Sequence, residues 1–492
     1  MTLPEELYTA AQVREFDRIA IEQHAIAGYE LMRRAGAACF HCLRRHWPAA
    51  EKILIVCGPG NNGGDGYVLA RLCRQSGLTV QVLALTDPQA LTGDALSAWR
   101  DAVAAGVAID CGDDMGILAD ADVIVDALFG TGLQRPLEGA ALRLVTAINR
   151  SAAAVLAVDI PSGLYADFGV AGGGAVEADV TLTFIALKQG LFSGQAGDYC
   201  GQVEFADLDV PYGVYRRHVP AALRYDGDDH ARLLPPRRRV AHKGHYGHVL
   251  AVGGGLGHSG AIAMCAEAAA RVGAGLVSVA APAASLPLVC ARRPELMCFG
   301  VDQAKLVEPL LERATVLALG PGLGTSAWAQ DVWNHLVDSD KPLVLDADGL
   351  NLLAERPLKK NNWILTPHPG EAGRLLACGS KEIEADRYTA VRRLQQRYGG
   401  VVILKGHGTL ICADDGKIYV VNRGNPGMAS GGVGDVLTGV IAGLLAQGFA
   451  LPVAARLGVW VHGKAADTAA LDGERGMLAT DLMPHLRRWV NP

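Results

Sequence analysis

The sequence predicts an α/β chain folded as two successive domains. Three observations predict it. Apolar runs of strand length alternate with helical patterns nearly throughout, the rhythm of βαβ units with a mainly parallel sheet. Glycine clusters follow many of those runs, where backbone must turn tightly or approach a ligand closely. The rhythm breaks once, between Asp207 and Arg239, in a stretch with four prolines and dense charge, and then restarts. A chain of 492 residues is also too long for one ordinary core. The expected division is a first domain over 1–218, a linker over 219–239 and a second domain over 240–492.

The elements follow in order. "YTAAQVREFDRIAIEQHAIAGYELMRRAGAACFHCLRRH" is helical, with Thr9 and Gln12 as a capping-box pair. Strands are expected at Ile53–Cys57, Thr79–Leu85, Asp122–Ala127, Ala154–Asp159, Val180–Ile185 and Gln202–Ala206, with helical patterns between the first four. The last two lack a long intervening helix, so antiparallel pairing at an edge is expected there. In the second domain "HVLAVGGG", "GLVSVAAP", "TVLALGPG", "KPLVLDADGL", "NWILTPHPGE", "VVILKGHGT" and "GKIYVVN" supply strands, and a long helical pattern runs from Gly434.

Half of the residues are hydrophobic, a fifth are charged, and the formal net charge is -6. No basic stripe with interleaved aromatics appears, so no nucleic-acid partner is expected. The acidic start "MTLPEELYTAAQVREFD" lacks the apolar core of a signal peptide. The run Val436–Ala446 is shorter than the ~20 residues a bilayer span needs, so it is a buried helix and no membrane partner is expected. Eleven scattered cysteines without a framework are expected to be reduced thiols of a cytoplasmic protein. Cys39 and Cys42 fall in a helical pattern, which favours buried helix cysteines over a redox pair or half a zinc site. Exposed faces of such α/β domains often assemble, and a homo-oligomer is expected.

The stretch "KILIVCGPGNNGGDGYVLA" carries Gly58, Gly60 and Gly63 in G-x-G-x-x-G spacing after a strand. A dinucleotide fold would put pyrophosphate at the following helix and an acid such as Asp87 on the ribose. The loop is too polar for that ordinary use. Asn61, Asn62 and Asp65 crowd oxygens that suit a hard cation or a polar ligand. Asp126 ends one strand in "VIVDALFGTGLQRP", and Asp159 ends another in "AVLAVDIPSG", close to Ser162. In an open α/β sheet these strand ends converge on one edge. Helix capping and turn chemistry explain any single such residue as well, but not three clusters at once. Lys188, in "FIALKQG", is either a solvated charge or, if buried by its apolar neighbours, a group suited to proton transfer.

The series "GPGNNGGDG", "VDALFGTGL", "VDIPSG" and "ALKQG" resembles the NAD(P)H-hydrate epimerase family over the whole first domain. The resemblance implies a Rossmann-like three-layer sandwich that inverts C6 of hydrated nicotinamide dinucleotides. It implies a potassium ion at Asn62, Asp126 and Ser162. It implies that the hydrate is held by Asn61, Asn62, Gly63, Gly64 and Asp65, by Gly130, Thr131, Gly132, Leu133, Gln134, Arg135 and Pro136, and by Asp159. Asp159 and Lys188 are then the acid–base pair, expected on opposite faces of the stereocentre.

"NPGMASGGVGDVLTG" opens the long C-terminal helix. Gly431, Gly432 and Gly434 leave backbone N–H groups uncovered at a helix start, an arrangement that binds phosphate. Asp435 on the first turn can take a proton from an attacking hydroxyl. An aspartate that merely complements the helix dipole is the plainer alternative, and it leaves the glycines unexplained. This motif resembles the ribokinase-like family. "LALGPGLGT", "VLDADGLN", "LTPHPGE" and "LKGHGT" narrow the resemblance to its ADP- or ATP-dependent NAD(P)H-hydrate dehydratase branch, from roughly Leu233 onward. It implies that Lys405, Gly406, His407, Gly408, Thr409 and Gly434 bind the adenine nucleotide, with Mg2+ on its phosphates. It implies that Ala261, Gly322, His368 and Asp435 contact the hydrate. His242, His245 and His248 lack a cysteine or carboxylate to complete a zinc set and are expected near the nucleotide pocket.

The two resemblances imply one task. The first domain would interconvert the R and S forms of hydrated NADH and NADPH, and the second would dehydrate the S form, converting ADP to AMP and phosphate. The rivals are a small-molecule kinase, an ordinary NAD-dependent dehydrogenase and a non-catalytic scaffold. The same glycine-aspartate motif would serve a kinase but leave the first domain without a role, the missing P-loop signature argues against a Walker-type ATPase, and Asp159, Lys188 and Asp435 together argue against a scaffold.

Overall fold

The computed structural model describes residues 3–112, 115–216 and 218–492. The chain divides into two compact units, Met1–Leu223 and Arg224–Pro492. Residues 219–239 contain the strand Ala222–Arg224 and the short helix His230–Leu233. Among the described residues no helix is long and apolar enough to cross a membrane.

In the first unit a seven-stranded sheet runs Ala108–Cys111, Thr79–Ala84, Lys52–Cys57, Val123–Ala127, Ala154–Val158, Val180–Phe184, Gln202–Ala206. Every neighbouring pair is parallel. The edge expectation is therefore corrected: Val180–Phe184 and Gln202–Ala206 are parallel, with Val180 opposite Gln202. Residues between them cross over through a two-residue strand, Leu187–Lys188, a 3-10 turn, Gln189–Phe192, and a single helical turn, Ala196–Tyr199, so no long helix is needed. The order reverses direction at Lys52–Cys57 and Val123–Ala127, the switch point where such sheets open a ligand crevice. The N-terminal helices Ala10–His24 and Gly28–His46 flank this sheet, and Thr9 and Gln12 form the expected capping box. The helix buries Cys39 and Cys42, as expected.

The glycines of the opening loop have packing reasons. A Cβ on Gly58 would overlap the Leu128 carbonyl oxygen, and one on Gly63 would overlap the Gly58 carbonyl oxygen. Their spacing lets two strand-end loops and a helix start meet backbone to backbone.

The second unit orders its strands Met297–Gly300, Leu276–Ala281, His248–Val252, Val316–Leu319, Leu343–Leu345, Trp363–Leu365, Val401–Leu404, Thr409–Cys412, Ile418–Val421. They are parallel through Val401–Leu404, and the last two add antiparallel. The C-terminal helical pattern resolves into Val433–Ala446, Leu451–Ala469 and Leu482–Trp489. Val436–Ala446 is buried throughout. Gly439 and Gly443, one turn apart, let this helix press on the backbone of Cys265 and Ala269 in the helix Ser259–Arg271. That close contact fixes where the N-terminus of Val433–Ala446 points.

Candidate functional site

At the carboxyl edge of the first sheet Asp126 is fully buried. Its Oδ1 accepts from Leu128 N at 3.2 Å and from Ser162 Oγ at 2.7 Å, and its Oδ2 accepts from Ser162 N at 2.7 Å. Burial pushes its pKa up to about 6 against the pull of these donors. No cationic side chain pairs with it among the described residues. Asn62 is buried beside Gly130, and its Nδ2 has no partner. Turned over, that amide presents its oxygen instead. A buried carboxylate, a hydroxyl and a free amide without a counter-charge are a fitting oxygen set for a monovalent cation.

A cavity of about 950 Å³ opens next to this set. Asn61, Asn62 and Asp65 line it, as do Gly130 to Pro136, Asp159 and Lys188. Lys188 is 1% exposed and is placed by the parallel pairing of its strand with Glu6–Tyr8. Its Nζ donates to Asp159 Oδ1, to Thr183 Oγ1 at 2.9 Å and to the Phe184 carbonyl at 2.9 Å. Asp159 has φ 69° and Ile185 has φ 63°, unusual backbone for residues that carry side chains. This strain turns both off their strands and into the cavity. The Asp65 carboxylate carries no hydrogen bond or ion pair among the described residues, and burial, then Asp159 and Asp17, push its pKa well up. A second cavity, about 1090 Å³, lies beside Asp122 and Ser151 to Ala153, at the opposite, amino-terminal end of the strands, and holds no predicted site residue.

The second unit builds its site the same way, from loops that follow strands. Lys405, after Val401–Leu404, donates to Asp346 Oδ1 at 2.8 Å and lies 3.7 Å from Glu371 Oε2. Asp346, after Leu343–Leu345, is buried, and its Oδ2 accepts from Thr438 Oγ1 at 2.7 Å. Burial works to lower the Lys405 pKa, but Asp346 and Glu371 outweigh it, so the ammonium is held charged. Gly434 lies against this pair: a Cβ there would sit 3.3 Å from Lys405 Nζ. Glu371 Oε2 accepts from His368 N at 2.7 Å in a capping box that leaves the His368 ring half exposed. Gly322, φ 59°, packs on His258 and Ala261, which brings Gly322 and Ala261 together. Gly406, φ 141°, passes over the buried Arg387, and Thr409 Oγ1 donates to its carbonyl at 3.0 Å.

Asp435 sits on the first turn of Val433–Ala446, behind Gly431 and Gly432. Its carboxylate has no hydrogen bond or ion pair among the described residues. Burial pushes its pKa up to about 7, Asp346 adds to the rise, and Lys405 opposes it. A carboxylate that is half ionised near neutrality, beside a lysine and bare amides, can act as a general base.

Both units resemble known proteins. A model described as "YjeF-related protein N-terminus" matches residues 28–190, and one described as "NAD(P)H-hydrate dehydratase" matches residues 249–488. The chain is 48% identical to the bifunctional NAD(P)H-hydrate repair enzyme of Coxiella burnetii, over 99% of both chains. It is 43% identical to the enzyme of that name from Escherichia coli, over 100% of this chain and 95% of the relative. The chain belongs to the bifunctional NAD(P)H-hydrate repair enzyme family. Among solved structures, the ADP/ATP-dependent NAD(P)H-hydrate dehydratase of Bacillus subtilis, co-crystallised with ATP and Mg2+, matches with TM-score 0.50 and 29% identity, over 54% of this chain and 96% of that one.

Within that family assignment, two readings change. Asp159 and Lys188 touch, so they stand together and do not flank a bound ring from opposite faces. The three histidines are not near the second site. His242 and His245 stack on each other with centroids 3.7 Å apart, and His248 bonds Ser278 Oγ at 2.7 Å. They precede the strand His248–Val252, whereas the site follows strand ends, and Gly247 packs on Ala446, at the far end of the helix that Asp435 begins. Asp87 caps the turn Pro88–Ala90 outside the cavity lining. Asp346, Glu371 and Thr438 were given no role by sequence, although all three lie inside the quoted motifs. Asp17 and Arg14, which line the first cavity, carried no motif at all.

Proposed function

We propose that the chain repairs hydrated NADH and NADPH: the first unit interconverts the R and S forms at C6, and the second returns the S form to NAD(P)H while ADP becomes AMP and phosphate. Asp435 carries the reading, as an unpaired carboxylate beside uncovered amides and Lys405. It takes the proton of the C6 hydroxyl, whose oxygen attacks the terminal phosphoryl of ADP. The phosphorylated oxygen is a good leaving group. The ring nitrogen lone pair expels it as phosphate, and loss of a C5 proton restores the dihydropyridine. Lys405, Gly406, His407, Gly408, Thr409 and Gly434 cradle the nucleotide, and Ala261, Gly322 and His368 border the hydrate. Mg2+ on the nucleotide phosphates would offset their charge against Asp346 and Glu371.

In the first unit Asn61 to Asp65, Gly130 to Pro136 and Asp159 hold the hydrate, and Asp159 with Lys188 moves protons at C6. Asn62, Asp126 and Ser162 would hold a potassium ion, which supplies positive charge beside the buried carboxylate. The cysteines are all free thiols, in keeping with a cytoplasmic enzyme, and a homo-oligomer of this chain is its expected form. The test mixes the protein with both hydrate epimers and ADP and follows the dihydropyridine absorbance. Both activities together convert all of the hydrate. Dehydration that halts when the S form is spent removes the epimerase half, and no absorbance change removes the reading.

A further inference from the structure

Inversion at C6 sets a requirement that the Asp159–Lys188 pair does not meet alone. C6 bears a hydroxyl beside the ring nitrogen. Once that oxygen is protonated, the nitrogen lone pair expels it as water and leaves a planar iminium carbon. Return of water to the same face restores the starting epimer. Inversion needs water to add to the other face and give up a proton there. One group must therefore serve each face. Asp159 and Lys188 are in contact at the strand ends, so they serve one.

The helix Ala10–His24 lines the same cavity. Val13, Arg14, Asp17 and Ile21 line it from one face of that helix. The Arg14 guanidinium donates to the Thr131 carbonyl at 3.3 Å, which ties the helix to the loop Gly130 to Pro136. Asp17 is half-buried, and among the described residues its carboxylate has no hydrogen bond or ion pair. The titratable groups that act on it are Asp65 on Asn61–Gln75, Asp159 and Lys188 at the strand ends, and Tyr215, and Arg14, Asp94, Arg135 and Glu138 line the same cavity. Burial pushes its pKa up to about 6, Lys188 pulls it down and Asp159 pushes it up. It is therefore mostly ionised at neutral pH, yet close enough to that range to take and return a proton. The family match begins at residue 28, after this helix.

We propose that Asp17 is the second proton-transfer group of the epimerisation, acting on the face of C6 away from the Asp159–Lys188 pair. The inference rests on the epimerase reading of this cavity. In one direction the Lys188 ammonium protonates the C6 hydroxyl, the C–O bond breaks and water departs. The Asp17 carboxylate takes a proton from the water that forms the new C–O bond on the other face. In the reverse direction the Asp17 carboxylic acid donates and the neutral Lys188 amine accepts. Water leaves and water adds, so nothing is oxidised or reduced.

The test uses the full chain in 18O-labelled water with separated hydrate epimers and no ADP, and measures inversion and label at C6 by mass spectrometry. Wild type inverts each epimer with uptake of label. Asp17→Asn inverts at least about 100-fold more slowly but still exchanges label into one epimer without inversion, through the intact Lys188 face. Lys188→Ala exchanges label only into the other epimer, and Asp17→Glu regains part of the inversion. Asp17→Asn that inverts within tenfold of wild type overturns the proposal. So does Asp17→Asn that loses exchange in both epimers while Lys188→Ala keeps it in one, because a merely structural aspartate behaves that way. Inversion by wild type without label also overturns it. Undiminished inversion by Lys188→Ala overturns the epimerase assignment of the pair itself, a separate result.

Discussion

Asp435→Asn should remove dehydration and stabilise the second unit. The carboxylate rises from its ordinary 3.8 to about 7, and each pKa unit is worth about 1.36 kcal/mol, so the ceiling on the folding penalty is about 4 kcal/mol. Asp435 is half-buried, and solvent relaxation around it takes roughly half of that, leaving about 2 kcal/mol. The sign follows from proton uptake. Between pH 4 and 7 the unfolded carboxyl has already lost its proton while the folded one keeps it. Wild-type stability therefore falls across that window, is flat above it, and owes nothing to this group below pH 4. The asparagine does not titrate. At pH 8 the variant should melt roughly 4–8 °C above wild type for a domain of this size, and the gain should vanish at pH 4. Calorimetry across pH reads the first effect. A dehydration assay with S hydrate and ADP reads the second, with an expected fall of about 10² to 10⁴. Wild-type rate should rise with pH and level off above about 7. A variant that dehydrates within tenfold of wild type, or whose stability difference is the same at pH 4 and pH 8, refutes the assignment of Asp435 as an unpaired base.

Three further perturbations probe other parts of the two sites. Lys405→Met leaves buried Asp346 with only Thr438 as a donor and should destabilise the second unit by about 3–5 kcal/mol in urea melts; a loss under 1 kcal/mol would show that the pair is not a buried one. Gly322→Ala forces a side chain onto φ 59° with its Cβ 2.7 Å from the His258 carbonyl oxygen. It should cost about 1–3 kcal/mol and raise KM for the hydrate more than it lowers kcat. Exchanging potassium for lithium should slow epimerisation and lower the melting temperature of the first unit, and Asp126→Asn should erase that dependence; equal melting in both salts would discredit the cation set.

Much of this was legible because function in α/β sheets collects at strand ends. Asn62, Asp126 and Asp159 each stand within a few residues of a strand terminus, and periodicity locates those termini to within a residue or two. The same rule places the histidines His242, His245 and His248, which precede a strand, at the wrong end for a site. The glycine-bearing loop around them carries the opposite signal. Other features leave no local trace. Asp17 is one of 51 acidic residues, set in an amphipathic helix where such a charge usually faces water. Only tertiary packing turns it into a cavity. The contact of Lys188 with Asp159 spans 29 positions of sequence and depends on a two-residue strand too short to show a period. The parallel sense of the last strand depends on a crossover built from a 3-10 turn and one helical turn, which hydrophobic patterning does not register.

The carboxylates of this chain separate by how completely folding satisfies them. Asp122 accepts from Glu51 N at 2.8 Å and Lys52 N at 2.9 Å, bonds that hold its pKa low. Glu267 is buried, which alone would raise its pKa, yet Arg293 and Arg292 hold it low. Such groups are stabilised as anions, and a proton bound there would break an existing set of bonds. Asp17, Asp65 and Asp435 have the opposite character: each is drawn out of water, given no donor, and pushed upward. The free energy that pairing would have supplied is left for a ligand, or a proton, to supply. Asp346 stands between the classes, since Lys405 and Thr438 satisfy it and it in turn keeps Lys405 charged beside Gly434. The distinction is measurable. Neutralising a satisfied carboxylate, as in Glu267→Gln, should destabilise its unit at neutral pH, whereas neutralising an unsatisfied one should stabilise its unit and remove its chemistry.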